Sequence, residues 1–176
     1  MTHEGSIEGP DLLDQKARKA IDVSALKRQV LAAVGAQAAR VALRFIGTPY
    51  LWGGNSSFGL DCSGLVQMSY RLSGVQLLRD ADLQWRDRRF ERREEGIALV
   101  EADLGSGDLV VFSSTGNDPA RKATHIGIAL GDGRFVHASG RRNGVYVDDC
   151  ESKTYGAIYL GAARLSADAD LAVEAA

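Results

Sequence analysis

Apolar positions follow a helical period in the first part of this chain and strand alternation in the second. From Val23 to about Phe45, Ala, Leu and Val dominate around Lys27, Arg28 and Arg40, which predicts one or two helices leading into Gly47-Thr48-Pro49. Another helix is predicted from Cys62 to about Leu72, its apolar run beginning at Leu65 and its stop lying near Gly74. Strands are predicted at Leu109 to Phe112, Thr124 to Leu130, Arg134 to Ala138, Val145 to Asp148 and Ala157 to Arg164. Helices followed by a run of strands indicate an α+β fold.

The strands flanking Gly131-Asp132-Gly133 read as a hairpin, and its register has chemical consequences. With residues 131–133 as the loop, His137 faces Gly127 and Ser139 faces His125, so both histidines share one side of the ribbon. Ile126, Ile128, Leu130, Val136 and Ala138 collect on the other side, which is therefore the core face. A loop one residue shorter or longer would break this apolar pattern. Diagonal neighbours of this kind lie roughly 7–8 Å apart at the backbone, within reach of two imidazoles, and Gly127 is expected to leave the space between them open.

Cys62 stands at the first turn of its predicted helix, preceded by Gly53-Gly54 and flanked by Asp61 and Ser63. Free N–H groups and the positive end of the helix dipole stabilise a thiolate there, so a lowered pKa is expected and Cys62 is a candidate nucleophile. A lone cysteine is by default a small buried hydrophobe, but polar flanks and nearby glycines argue against that reading here. His125 is the candidate general base and His137 its orienter, the cysteine form of the nucleophile, base and orienter scheme. His3 lies in a polar leader and reads as solvated. A Cys/His/His zinc site is the competing constellation, although no C-x-x-C or H-x-x-x-H pair supports it.

Six motifs agree in order with one family: Gly47-Thr48-Pro49-Tyr50-Leu51-Trp52-Gly53-Gly54, Asp61-Cys62-Ser63-Gly64, Arg79-Asp80-Ala81 with Gln84, Gly107-Asp108-Leu109-Val110-Val111-Phe112, Thr124-His125-Ile126-Gly127 and Phe135-Val136-His137-Ala138-Ser139. From about Ala39 to Leu165 the chain resembles the NlpC-like bacterial cell-wall cysteine peptidases. The resemblance implies a papain-like fold, with helices at the N-terminal side and the catalytic cysteine at a helix N-terminus packed on an antiparallel sheet. It implies Cys62 as nucleophile, His125 as base, His137 as third polar residue and Tyr50 as a stabiliser of the tetrahedral intermediate. It also implies Asp61, Ser63, Arg79, Asp80 and Ala81 near the substrate. The implied substrate is a peptidoglycan stem peptide, cut between the side-chain carboxyl of D-glutamate and a diamino acid. No metal or organic cofactor is implied. A non-catalytic peptidoglycan-binding module and a papain-like amidase or acyltransferase on another substrate are the alternatives.

Plainer roles compete for several of these residues. Tyr50 can be a packed aromatic whose hydroxyl bonds backbone, Asp61 can be a helix cap, and Arg79-Asp80 can be a local surface pair. Trp52 reads as core rather than cleft. Arg121 and Lys122, in the polar loop before His125, could meet a substrate carboxylate or simply be solvated.

Composition fits one domain: 176 residues, 45% hydrophobic, 25% charged, with a formal net charge of -2. That charge does not suggest a nucleic-acid partner. The basic stretch Arg86 to Arg93 is interleaved with Asp87 and Glu91 and followed by Glu94 and Glu95, so it reads as a solvated helix or loop. Residues 23–165 form the expected peptidase domain, between a polar, flexible leader over 1–22 and an acidic tail over 166–176. The leader lacks the apolar run of a secretion signal and no stretch reaches membrane-spanning length. As written the chain therefore reads as cytoplasmic, or as a cell-envelope or extracellular protein if it is truncated or delivered by another route. Cys150 is expected to be an unpaired structural thiol, since a disulfide to Cys62 would silence the nucleophile.

Overall fold

A computed structural model describes residues 22–93, 104–114 and 122–166. The expectations for His3 and the rest of the leader before Asp22, for Glu94, Glu95 and Arg121, and for the tail beyond Ser166 lie outside these residues.

The N-terminal apolar stretch is one helix, α1 (Val23–Leu43), whose first turn is capped by Asp22 accepting from the Ala25 N–H. Its buried stripe of Leu31, Gly35, Ala38, Ala39 and Ala42 is made of mostly small side chains. The Gly107 backbone, at φ 99°, packs directly on Gly35, leaving no room for a Cβ at Gly107. A short hairpin follows, β1 (Asn55–Ser56) with β2 (Gly59–Leu60), and then α2 (Cys62–Arg71) and the one-turn α3 (Ala81–Trp85).

The remaining strands are β3 (Phe90–Arg93), β4 (Leu109–Phe112), β5 (His125–Ala129), β6 (Arg134–Ser139), β7 (Gly144–Asp149) and β8 (Tyr159–Leu165), with a short helix α4 (Lys153–Gly156) before the last. They form one antiparallel sheet in the order β3-β8-β4-β5-β6-β7. The larger core lies on the face toward α1 and α2, where Leu109, Val111, Ile126, Ile128, Val136 and Ala138 meet Leu60, Leu65, Val66 and Tyr70. Val110, Phe112, Ala129 and Phe135 point the other way, into a smaller cluster closed by Tyr155 of α4 and by Cys150.

The hairpin register is as the alternation predicts: Ile128 pairs with Val136 and Ala129 with Phe135. Leu130 N–H bonds the Arg134 carbonyl, which leaves residues 131–133 as the loop. Two expectations change. The Arg86–Arg93 stretch is not a solvated helix or loop throughout, because its second half is the edge strand β3, with Phe90 buried and Arg92 stacked on the Trp85 ring at 5.5 Å. Trp52 is not core: it sits on a turn and is 86% exposed. None of the described helices is long and apolar enough to cross a membrane.

Candidate active site

The helix that carries Cys62 begins where it does because of Asp61. Its Oδ1 accepts from the Gly64 N–H at 2.7 Å, capping α2, and its Oδ2 accepts from the Gly53 N–H at 2.9 Å, tying the Leu51–Gly54 turn to the helix start. A Cβ at Gly64 would lie 2.1 Å from the Gly54 carbonyl oxygen, so this backbone contact requires glycine. Arg79 completes the cluster, donating to Asp61 Oδ1 at 3.0 Å, Asp61 Oδ2 at 2.7 Å and Ser63 Oγ at 2.9 Å. Burial raises the Asp61 carboxyl, but Arg79 and the N–H groups of Gly64 and Gly53 outweigh it and hold the group below the usual carboxylate range.

Cys62 is a free thiol, and the backbone N–H of Ile126, the residue after His125, is aimed at its sulfur together with those of Ser63 and Cys62 itself. Burial and the neighbouring Asp61 carboxylate push the thiol up, and the three N–H donors do not reverse this. The lowered pKa expected from the helix-start position is therefore not found, because desolvation and a like charge outweigh the helix terminus. Cys62 rests as a thiol.

His125 Nε2 and His137 Nδ1 lie 2.8 Å apart with their rings nearly perpendicular. His137 is wholly buried, and its Nε2 lies 3.0 Å from Asp148 Oδ2. Arg142, from the turn joining β6 and β7, donates to the other oxygen of Asp148 at 2.8 Å. Tyr155 stacks on the His125 ring and packs edge-on against His137. Burial, with His137 beside it, drives His125 down to about 3. Burial also lowers His137, although Asp148 pulls in the opposite sense. Both rings are therefore neutral. Each His137 nitrogen already has a partner, which argues against the Cys/His/His zinc alternative.

The two histidines thus meet as the register predicts, with Cys62 against the backbone of the residue after His125, and the pair has partners that sequence reasoning missed. Asp148 sits on the β7 strand two residues beyond Tyr146, the partner of His137, and so on the same face. Tyr155 lies on a single helical turn with no sequence signal. Gly127 is needed for a different reason than expected: a Cβ there would meet the Phe135 ring at 2.6 Å and His137 Cβ at 3.1 Å, so the space is filled rather than open.

Tyr50 is held by bridges on both sides, Pro49 to Gly144 and Tyr50 to Leu60, with its ring edge over Gly140. Burial raises its hydroxyl pKa, as do Cys62 and Asp61, and the hydroxyl has no hydrogen-bond partner among the described residues. The packed-aromatic reading, in which backbone satisfies that hydroxyl, does not hold. Asp80 is exposed at the start of α3, its carboxylate making no cap bond, and Arg79 pairs with Asp61 rather than with it as a surface couple. Ala81 is buried. Gln84 is a strut, donating to the carbonyls of Ser63 and Leu78. Lys122 is exposed.

Known proteins share this arrangement of elements. The NlpC/P60 family model matches residues 47–164. The gamma-D-glutamyl-L-lysine dipeptidyl-peptidase of Bacillus cereus is 31% identical over 121 residues, 68% of this chain and 33% of that protein. Dipeptidyl-peptidase 6 of Lysinibacillus sphaericus is 36% identical over 117 residues, 65% of this chain and 36% of that one. The crystal structure of an NlpC/P60 family protein from Bacillus cereus superposes with a TM-score of 0.62 at 28% identity, covering 74% of this chain and 40% of that chain. The chain spans about a third of the length of these curated relatives. The stretch matched by the family model holds Tyr50, Cys62, His125 and His137 together, and the chain belongs to the NlpC/P60 family.

Proposed function

We propose that this chain is a cysteine peptidase that hydrolyses amide bonds in peptidoglycan stem peptides, at the bond between the D-glutamate side-chain carboxyl and a diamino acid. The observation that carries the reading is the hydrogen-bonded row His125–His137–Asp148 beside a thiol at a helix N-terminus. The relatives named as dipeptidyl-peptidases on gamma-D-glutamyl bonds support the substrate class.

Cys62 Sγ attacks the amide carbonyl carbon while its proton passes to His125 Nδ1, the ring nitrogen not engaged by His137. Backbone N–H groups at the start of α2 and the unpartnered Tyr50 hydroxyl donate to the oxyanion of the tetrahedral intermediate. The C–N bond breaks, His125 returns the proton to the leaving amine, and a thioester remains. Water, deprotonated by His125, attacks the thioester and releases the carboxylic acid with the thiol restored. Because the resting pair is neutral, proton transfer accompanies attack. Asp61, Ser63 and Arg79 form a hydrogen-bonded cluster beside Cys62, and the exposed Asp80 carboxylate, which makes no cap bond, is a contact for a cationic substrate group.

Incubation of the purified protein with defined stem peptides, with products read by mass spectrometry, tests this. Cleavage at the D-glutamyl bond that disappears in Cys62→Ala is the expected result. Acyl transfer to an added amine, or binding without turnover, would replace it with the amidase/acyltransferase or the binding-module reading.

A further inference from the structure

We propose that Asp148 is a positioning residue for the thiol chemistry, setting through two imidazoles which nitrogen of His125 is free to take a proton. This rests on the peptidase reading, and it adds a fourth member to the Cys62, His125 and His137 set.

A carboxylate only accepts hydrogen bonds, so the His137 nitrogen facing Asp148, Nε2, carries the hydrogen. A neutral imidazole has one donor and one acceptor, which makes His137 Nδ1 the acceptor. The nitrogen facing it, His125 Nε2, must then be the donor. His125 Nδ1 is left bare, the form a general base requires. With the opposite tautomer of His137, His125 Nε2 would have to accept and Nδ1 would carry the proton, unable to receive one from Cys62.

The surroundings enforce this choice. Asp148 is 21% exposed at its side chain, and its second oxygen is held by Arg142, so the carboxylate cannot rotate away without breaking an ion pair. Arg142 is itself laid over the Tyr146 ring, 5.2 Å from its centroid. The charged and titratable groups facing the two rings are Asp148 and Arg142 from the β6–β7 hairpin and Tyr155 from α4, while Cys62 of α2 meets the backbone beside His125. Asp148 also places a negative charge behind the imidazolium that forms at His125 during attack, and Arg142 moderates it.

The test compares Asp148→Asn, Asp148→Ala and Arg142→Ala with the parent chain by kcat and KM on one stem peptide and by ¹⁵N NMR of the histidine rings. Loss of the orienting carboxylate in a Ser-His-Asp triad costs about 10⁴-fold through the wrong tautomer. With one more ring between carboxylate and base, Asp148→Ala should lower kcat about 10²-fold with KM unchanged. Its spectrum should show His137 shifted toward the Nδ1–H tautomer. Asp148→Asn, whose amide N–H can donate to Nε2 as in that triad, should shift the tautomer in the same direction and lose a comparable amount. Arg142→Ala should keep the tautomer and move the acid limb of kcat/KM to higher pH. An Asp148→Ala protein with the parent tautomer pattern overturns the proposal, whether its activity falls or not. If the parent chain cleaves no stem peptide, the peptidase reading fails, and the NMR comparison still decides what Asp148 does to the rings.

Discussion

Arg79 grips Asp61 with both terminal guanidinium nitrogens, at 3.0 and 2.7 Å, and so a residue from the loop after α2 secures the cap at the start of that helix. Removing Arg79 leaves a mostly buried carboxylate with its Gly64, Gly53 and Ser63 bonds but without its countercharge. Arg79→Ala is therefore expected to lower stability by about 1–3 kcal/mol, between an exposed and a buried pair. Arg79→Lys should recover only part of this, since one ammonium cannot span both carboxylate oxygens and Ser63. Urea unfolding at pH 7 reads the difference, and a loss below about 0.5 kcal/mol for Arg79→Ala would mean that the pair is surface decoration.

Alkylation separates the two cysteines by pH. Burial and Asp61 raise the Cys62 thiol, and burial with Asp149, Glu151 and Asp132 pushes Cys150 up to about 12. Iodoacetamide should label Cys62 slowly at pH 6, increasingly toward pH 9, and leave Cys150 untouched in the folded protein. Peptide mapping by mass spectrometry measures both. Rapid labelling of Cys62 that does not change between pH 6 and pH 9 would require a preformed thiolate and an ion-paired resting state.

The histidine pair was legible in the sequence because strand parity leaves little freedom: once Ile126, Ile128, Val136 and Ala138 must face the core, His125 and His137 must share the other face. Asp148 was legible in principle and was overlooked: Asn143-Gly144 is a strong turn pair, with Asn143 at φ 56°, and the β6–β7 pairing it closes sets Tyr146 opposite His137 and so puts Asp148 on the same face. β3 escaped for another reason. Its polar residues carry no apolar alternation, and only pairing with β8, far along the chain, makes it a strand. Trp52 was misread as core: it stands next to Gly53, whose N–H Asp61 holds in a turn, and it is exposed.

Substitutions at the two histidines should differ in kind. His125→Asn removes the base and is expected to lower kcat/KM by about 10²–10⁴-fold. In His137→Gln an amide can accept from His125 and donate toward Asp148, so measurable activity should remain, with His137→Asn similar but weaker. His137→Ala should fall between His137→Asn and His125→Asn, because the ring is freed but the base is kept. Steady-state kinetics on one stem peptide ranks the four. A His137→Gln protein as inactive as His125→Asn would assign His137 a direct part in the chemistry.

Acid should weaken the fold well above the range where carboxylates titrate. His125 is depressed to about 3 and His137 is lowered too, so the unfolded chain, with histidines near their ordinary 6.5, binds more protons as pH falls below that value. Stability then declines from pH 6.5 downward, by at most about 1.4 kcal/mol per pH unit for each histidine. Asp61 works in the same direction but later: its pKa is lowered from 3.8, so its contribution is present above that value and is lost only as pH falls below it. Between pH 6.5 and 4.5 the slope therefore belongs to the histidines. Urea midpoints measured at half-unit steps should fall across that interval in the parent protein and fall less steeply in His125→Asn. An equal slope in both proteins would show that His125 takes up a proton as readily in the folded chain as in the unfolded one, and that its burial against Tyr155 and His137 does not hold it neutral.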